Sequence, residues 1–313
     1  MLDYKDFTRT VCGRLEELYP GRRVDVHRIM KPNLPVRDGL TVLADGGLMS
    51  PMVYINDLYD DYEAGEPIDA LIKDVDEIMS GSVTEPGFDV SKLKDFGFMK
   101  DHIVYKLINY ENNRELLREV PHRRFMDLAL VYYFILDSGN IGRATSDIFN
   151  THMLLWGVDE QTVFEHARVN TPKLMGWEIQ NMDQMIGGLV IDELKDQFDD
   201  EDEFEAFSAF VLGSASCPEH SPMFVLTNTD RMNGAACVLY TDVLENFARE
   251  KGGDLYVLPS SVHEVILIPC SQAPERSELA EMVREINQHE LAPSERLSDN
   301  VYRYSLEKGT LTV

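Results

Sequence analysis

The residues best suited to chemistry stand together at Pro259-Ser260-Ser261-Val262-His263-Glu264, between two apolar runs at 254–258 and 264–268. Such runs predict strands, and a loop held on a rigid sheet is a usual place for binding and catalytic groups. An imidazole titrates near neutral pH, so His263 has the chemistry of a general base, with Glu264 to orient or protonate it. Ser260 or Ser261 becomes a nucleophile only when such a base reaches it. Asn228 and Asn233-Gly234 are the expected neighbours of this loop. The competing reading is a tight turn in which the serine hydroxyls serve backbone amides and His263 bonds a carbonyl. That reading carries more weight, because adjacent residues on a strand face opposite sides, so His263 and Glu264 need not meet.

Other constellations are weaker. His263-Glu264 begins like a zinc-protease motif, but Leu267 stands where the second histidine belongs. Cys217-Pro-Glu-His220 sets a thiol near an imidazole, and no second Cys/His pair has zinc-finger spacing, so a surface loop is expected and no metal. His152 and Trp156, and likewise His166 and Asn170, stand four apart and share a helix face; satisfied core-edge residues are the expectation. Gly139-Asn-Ile-Gly142 lacks both the phosphate-loop and the dinucleotide fingerprints, so no cofactor is expected and the stretch reads as a turn.

The elements that must position these residues follow from periodicity. Phe7, Val11, Leu15 and Leu18 predict a helix over 3–19, stopped by Pro20-Gly21. Strands are expected at 24–29, 40–44 and 52–55, with Asp45-Gly46-Gly47 as a turn. A helix capped by Asn56 follows, then one opened by Pro67. Residues 1–80 thus read as a small α/β unit, 81–97 as a linker region, and 98–313 as a larger α+β domain. In that domain strands are expected at 102–109 and 126–137, the second central. Helices are expected at 145–156 and 159–169, the latter capped by Asp159. A strand at 223–227, a helix through Tyr240, Val243, Leu244 and Phe247, the two strands around Pro259–Glu264, a helix at 279–286 and a closing hairpin around Lys308-Gly309 complete the order. That order suits a mixed sheet with packed helices, an α+β fold.

Composition closes off several functions. The 313 residues carry 29 Lys+Arg against 55 Asp+Glu, a formal charge of −26. Attraction to nucleic acid or an anionic membrane needs clustered positive charge, so neither is an expected partner. No run approaches the roughly 18 apolar residues of a membrane span. No basic stretch followed by an apolar one opens the sequence, and the four cysteines are not closely paired, so a cytoplasmic protein with reduced thiols is expected. Residues 192–205 concentrate acid but interleave Leu194, Phe198 and Phe204, which predicts an exposed helix or loop pinned by apolar side chains.

Three passages carry a family resemblance. They are Ser50-Pro-Met-Val-Tyr-Ile-Asn-Asp-Leu-Tyr-Asp-Asp-Tyr-Glu-Ala-Gly; Asp127-Leu-Ala-Leu-Val-Tyr-Tyr through Trp156-Gly157-Val158 to Asn170-Thr171; and Leu226-Thr-Asn, Asn233-Gly-Ala with Leu255-Tyr-Val-Leu-Pro-Ser-Ser-Val-His-Glu-Val-Ile. The chain resembles a family of uncharacterised proteins from anaerobic, gut-dwelling Firmicutes. The third passage is also similar to the YtpQ-like uncharacterised proteins of Bacillus relatives. The resemblance spans nearly the whole chain and implies no substrate, cofactor or catalytic residue. The leading expectation is a non-enzymatic interaction or regulatory protein with a possible protein partner. The alternatives are a hydrolase built on Ser260/Ser261, His263 and Glu264, and an acidic decoy for a basic protein.

Overall fold

The computed structural model describes residues 1–43, 50–80, 90–137, 143–195, 198, 200–214 and 221–313. The chain divides into two compact units, Met1–Leu93 with Asp137–Ala144, and Lys94–Leu136 with Thr145–Val313.

In the first unit the order is α1 (Tyr4–Leu18), β1 (Arg23–Ile29), β2 (Arg37–Leu43), β3 (Met52–Tyr54), α2 (Ile55–Glu63) and α3 (Ile68–Ser80). Asp3 caps α1 by accepting from the Asp6 amide at 2.8 Å. The chain leaves α1 through Gly21, whose φ of 82° suits a residue without Cβ. Phe7, Val11 and Leu15 repeat at helical spacing and bury against Leu58, Leu71 and Val75 of the other two helices and Leu40 of the sheet. Burying each such side chain contributes about 1.5–3 kcal/mol before the entropy of ordering it is counted. The strands form an antiparallel sheet in the order β1-β2-β3. Asn56 does not cap α2, which starts one residue earlier; its side-chain oxygen instead accepts from the Asp38 amide at 2.8 Å, tying α2 to β2. The expected turn at 45–47 lies outside the described residues, as do residues 81–89 of the linker region.

The second unit holds two sheets. Its elements are α4 (Phe96–Met99), β4 (Ile103–Asn109), β5 (His122–Phe125), β6 (Leu128–Asp137), β7 (Arg143–Asp147), α5 (Asn150–Trp156), α6 (Glu160–Met175), β8 (Glu178–Asn181), α7 (Met182–Leu194), α8 (Glu201–Ser214), β9 (Phe224–Thr227), α9 (Val243–Lys251), β10 (Leu255–Leu258), β11 (Glu264–Pro269), α10 (Arg276–His289), β12 (Tyr302–Ser305) and β13 (Thr310–Thr312). One sheet runs β4-β6-β5, with β7 also on β6; the other runs β13-β12-β10-β11-β9-β8. The fold is α+β. A mixed sheet was expected, but every strand pair of described register is antiparallel.

β6 is central, as its uninterrupted apolar run requires, and Leu128–Tyr132 lie at or below 5% exposure. The helix expected over 145–156 is a correction. Its first part is strand β7 on β6, and α5 begins only at Asn150. Thr145 is β-branched and the stretch pairs with a waiting edge, so sheet contacts outweigh a weak helical pattern. Asp159 does cap α6, accepting from the Thr162 amide at 2.9 Å. α6 packs on β4 through Asn170, which donates to the carbonyls of Lys100 (2.8 Å) and Ile103 (3.0 Å), and Thr171, which accepts from the Tyr105 amide at 3.0 Å. Asn170 is therefore a satisfied buried group. Among the described residues no helix is long and apolar enough to cross a membrane.

Candidate functional site

The strands β9, β10 and β11 bring most of the sequence-predicted site residues to one corner of the six-stranded sheet. β10 ends at Leu258, the chain turns through Pro259–His263, and β11 returns beside both β10 and β9. A second segment straps the turn. The Val262 amide donates to the Glu295 carbonyl (2.8 Å), the Leu297 amide to the Ser260 carbonyl (2.8 Å), and the Ser298 amide to the Pro259 carbonyl (2.9 Å), with Ser261 bridged to Arg296. These backbone bonds serve a buried turn, in which Ser260 and Ser261 are almost inaccessible.

The side chains of Thr227, Asn228, Ser261 and His263 each have a structural partner. Ser261 Oγ accepts from the His263 amide at 3.0 Å, a serine turn closing on its own backbone. The Asn233 amide donates to His263 Nδ1 at 3.4 Å. A backbone amide only donates, so in the neutral ring the proton sits on Nε2. That atom faces Glu295 Oε1 at 3.9 Å, across partly exposed surface. Asn228, buried to 1% exposure, closes the 228–232 loop with both ends of its amide: Oδ1 accepts from the Met232 amide (3.2 Å) and Nδ2 donates to the Met232 carbonyl (2.7 Å). Thr227 Oγ1 donates to the His263 carbonyl at 2.8 Å.

Gly234 is the pivot of the corner. A Cβ there would meet Thr227 Oγ1 at 2.3 Å, the His263 carbonyl oxygen at 2.4 Å and the Asn228 nitrogen at 2.6 Å. Only hydrogen fits. Asn233, in the left-handed region at φ 57°, turns the chain so that Gly234 enters this gap. The Ala235 amide then donates to the Val262 carbonyl at 3.2 Å.

The structure therefore gathers Asn228, Asn233, Ser261 and His263 around Thr227 and Gly234. Ser260 lies in the same turn, with its carbonyl used by Leu297. Glu264 stands apart. It lines a separate pocket of about 160 Å³ with Glu178, Arg231 and Met185, as the alternation of side chains along a strand requires. His263 has Glu295 as its carboxylate, not Glu264, and its ring bonds Asn233 rather than a serine. Thr227 and Glu295 were missed in the sequence because they lie 36 and 32 residues from His263 and share no local pattern with it.

The remaining sequence candidates have core-edge roles. His152 stacks on Trp156 at 5.6 Å between centroids, and its Nδ1 accepts from the Phe149 amide at 3.0 Å; burial holds its pKa below the usual value. His166 meets the ring of Phe96. Cys217, His220 and residues 139–142 lie outside the described residues. Among the described residues no group of three or more His, Cys, Asp or Glu is arranged to hold a metal ion. Cys12, Cys237 and Cys270 are free thiols.

No curated protein and no solved structure matches the chain. The model of a family of unknown function, DUF5688, matches residues 4–306, nearly the full length, and the chain belongs to that family.

Proposed function

We propose that this protein is a non-enzymatic interaction module of the bacterial cytoplasm, and that its partner is a protein segment with an apolar, basic helical face. The observation that carries this reading is the helix pair α7–α8. The two helices pack on each other, yet α7 fully buries only Gly187. Ile186 and Leu189 are half exposed at i and i+3, and Phe210 of α8 is 73% exposed. Exposed apolar side chains on two packed helices suit an interaction surface. The ring of Phe198 packs on those of Phe204 and Phe207 of α8.

Charge defines the partner. Residues 192–205 hold nine carboxylates and one lysine. Asp192, Glu193, Glu203 and Glu205 are exposed on the same two helices as the apolar side chains. An amphipathic helix with lysine or arginine beside its apolar face complements both features. The Ser260–Glu264 turn supports a non-catalytic reading, since Ser261, His263 and Asn228 are spent on backbone hydrogen bonds.

The test is titration of the full chain with a fluorescent synthetic helix of leucine and lysine at amphipathic spacing. Saturable binding that weakens with salt, and that falls at least about tenfold in a folded Leu189→Glu/Phe210→Glu variant, supports the reading. Binding that the double variant leaves unchanged overturns it. So does covalent labelling of Ser260 or Ser261 by a serine-hydrolase probe that His263→Ala abolishes.

A further inference from the structure

The four-stranded sheet of the second unit carries a cationic pocket on a strongly acidic chain. Its lining is Tyr110, Arg114, Leu117, Arg118, His122 and Arg124, around a volume of about 300 Å³. These residues come from three places. Tyr110 follows β4 and is fixed by its amide, which donates to the Asp127 carbonyl at 3.0 Å. Arg114 precedes, and Arg118 ends, the 3-10 turn Leu116–Arg118, whose Leu117 is buried. His122 and Arg124 stand two apart on edge strand β5 and so share a face.

Arg118 and Arg124 have no carboxylate partner among the described residues, whereas Arg114 has one. The Arg124 guanidinium lies 4.5 Å from the Tyr110 ring centre, and its Nε donates to the Met126 carbonyl at 3.1 Å. The His122 ring meets Tyr110 edge-on, and Nδ1 donates to the Val120 carbonyl at 3.0 Å, leaving Nε2 as its uncommitted nitrogen. Arg114 pairs with Glu111 at 2.7 Å. The Arg118 side chain has no hydrogen-bond or ion-pair partner among the described residues. The lining thus sets three guanidiniums and an imidazole together with no carboxylate among its six residues. The chain as a whole carries 55 Asp+Glu against 29 Lys+Arg, so three arginines around one volume stand against its overall charge. Like charges brought together repel, and an anion between them reverses the sign.

We infer that this pocket binds a phosphate dianion, free or carried on a small metabolite. Guanidinium forks match the oxygens of a tetrahedral phosphate and give shorter, stronger hydrogen bonds than neutral donors. The volume is at the lower end of small-ligand sites, which leaves room for a carrier beside the phosphate. Arg118 is the principal ligand because nothing competes for it, and Arg124 is the preorganised one because Tyr110 and Met126 fix its plane.

Calorimetric titration of the full chain with inorganic phosphate, adenosine monophosphate and citrate tests this. The expected result is saturable one-to-one binding of phosphate or the nucleotide that weakens with salt and falls about tenfold or more in Arg118→Gln and in Arg124→Gln. The control Arg249→Gln, on α9, leaves binding unchanged. Tighter binding of the nucleotide than of inorganic phosphate assigns the ligand to an organic phosphate, and the reverse assigns it to the free ion. Arg118 is exposed, so the fold of its variant should persist, with Arg114→Gln as a second reading of the same pocket. No binding of either phosphate up to about 10 mM, citrate bound as tightly as phosphate, or full affinity retained in the arginine variants overturns the inference.

Discussion

Replacing Gly234 by alanine is the sharpest perturbation of the corner that holds His263. The new Cβ would lie 2.3 Å from Thr227 Oγ1, 2.4 Å from the His263 carbonyl oxygen and 2.6 Å from the Asn228 nitrogen. Each is about 1 Å or more inside the ordinary 3.5–4.0 Å separation of packed heavy atoms. Two of the three are backbone atoms, so no rotamer change relieves them. Overpacking of a well-filled site costs about 1–3 kcal/mol. Moving the strands apart also breaks the 2.8 Å bond from Thr227 to His263, worth about 1 kcal/mol. Gly234→Ala should therefore destabilise the second unit by about 2–4 kcal/mol, a large share of the roughly 5–15 kcal/mol that holds a domain folded. Both tryptophans, Trp156 and Trp177, belong to that unit, so urea unfolding followed by tryptophan fluorescence reads it directly. Thr227→Ala removes one of the three close contacts, so its cost and that of Gly234→Ala should combine to less than their sum. A loss below about 1 kcal/mol in Gly234→Ala, or strict additivity of the pair, would refute the close-packing argument.

Three further outcomes follow from other parts of the second unit. Asp127 accepts from Ser298 Oγ (2.6 Å), Asn300 Nδ2 (3.0 Å) and the buried Tyr302 hydroxyl; Asp127→Ala should cost about 2–4 kcal/mol in urea unfolding, and Tyr302→Phe clearly less, since it strands no buried donor. Burial lowers the His152 pKa in the folded state, so the unfolded chain binds the proton more readily; stability should fall as pH drops below about 6.5, and His152→Gln should flatten that slope in pH-dependent melts. Burial pushes the Cys237 thiol up to about 12, so its alkylation by iodoacetamide at neutral pH, followed by mass spectrometry, should track unfolding. Rapid labelling of native Cys237 would contradict its place in the core.

Local signals made much of the fold legible. Asp159 announced a helix start because its side chain needs only the amide three residues on, and α1, α9 and α10 carry their apolar faces at plain helical spacing. β7 was not legible, because its state depends on pairing with the part of β6 beyond β5 rather than on its own residues. α7 was not assigned either: Gly187-Gly188 weakens its propensity, and apolar residues surround it with no clear stripe. The corner at residues 259–264 was visible as a polar turn between apolar strands. The roles within it were set by Thr227, Gly234 and Glu295, distant in sequence. The cationic pocket shows the same limit. Arg114, Arg118 and Arg124 follow no single period, and only the pairing of β5 with β6 and the turn at 116–118 sets them around one volume.

The central claim is that the protein works by docking a basic, apolar helix on α7–α8 and that the Ser260–Glu264 turn is scaffold. Hydrogen–deuterium exchange of the full chain, with and without the leucine–lysine helix, tests it most directly. The account predicts new protection confined to peptides within 182–214, with exchange across 259–264 the same in both states, the Val262 and His263 amides being already bonded. Protection centred on 259–264, or none within 182–214 at saturating peptide, would contradict it.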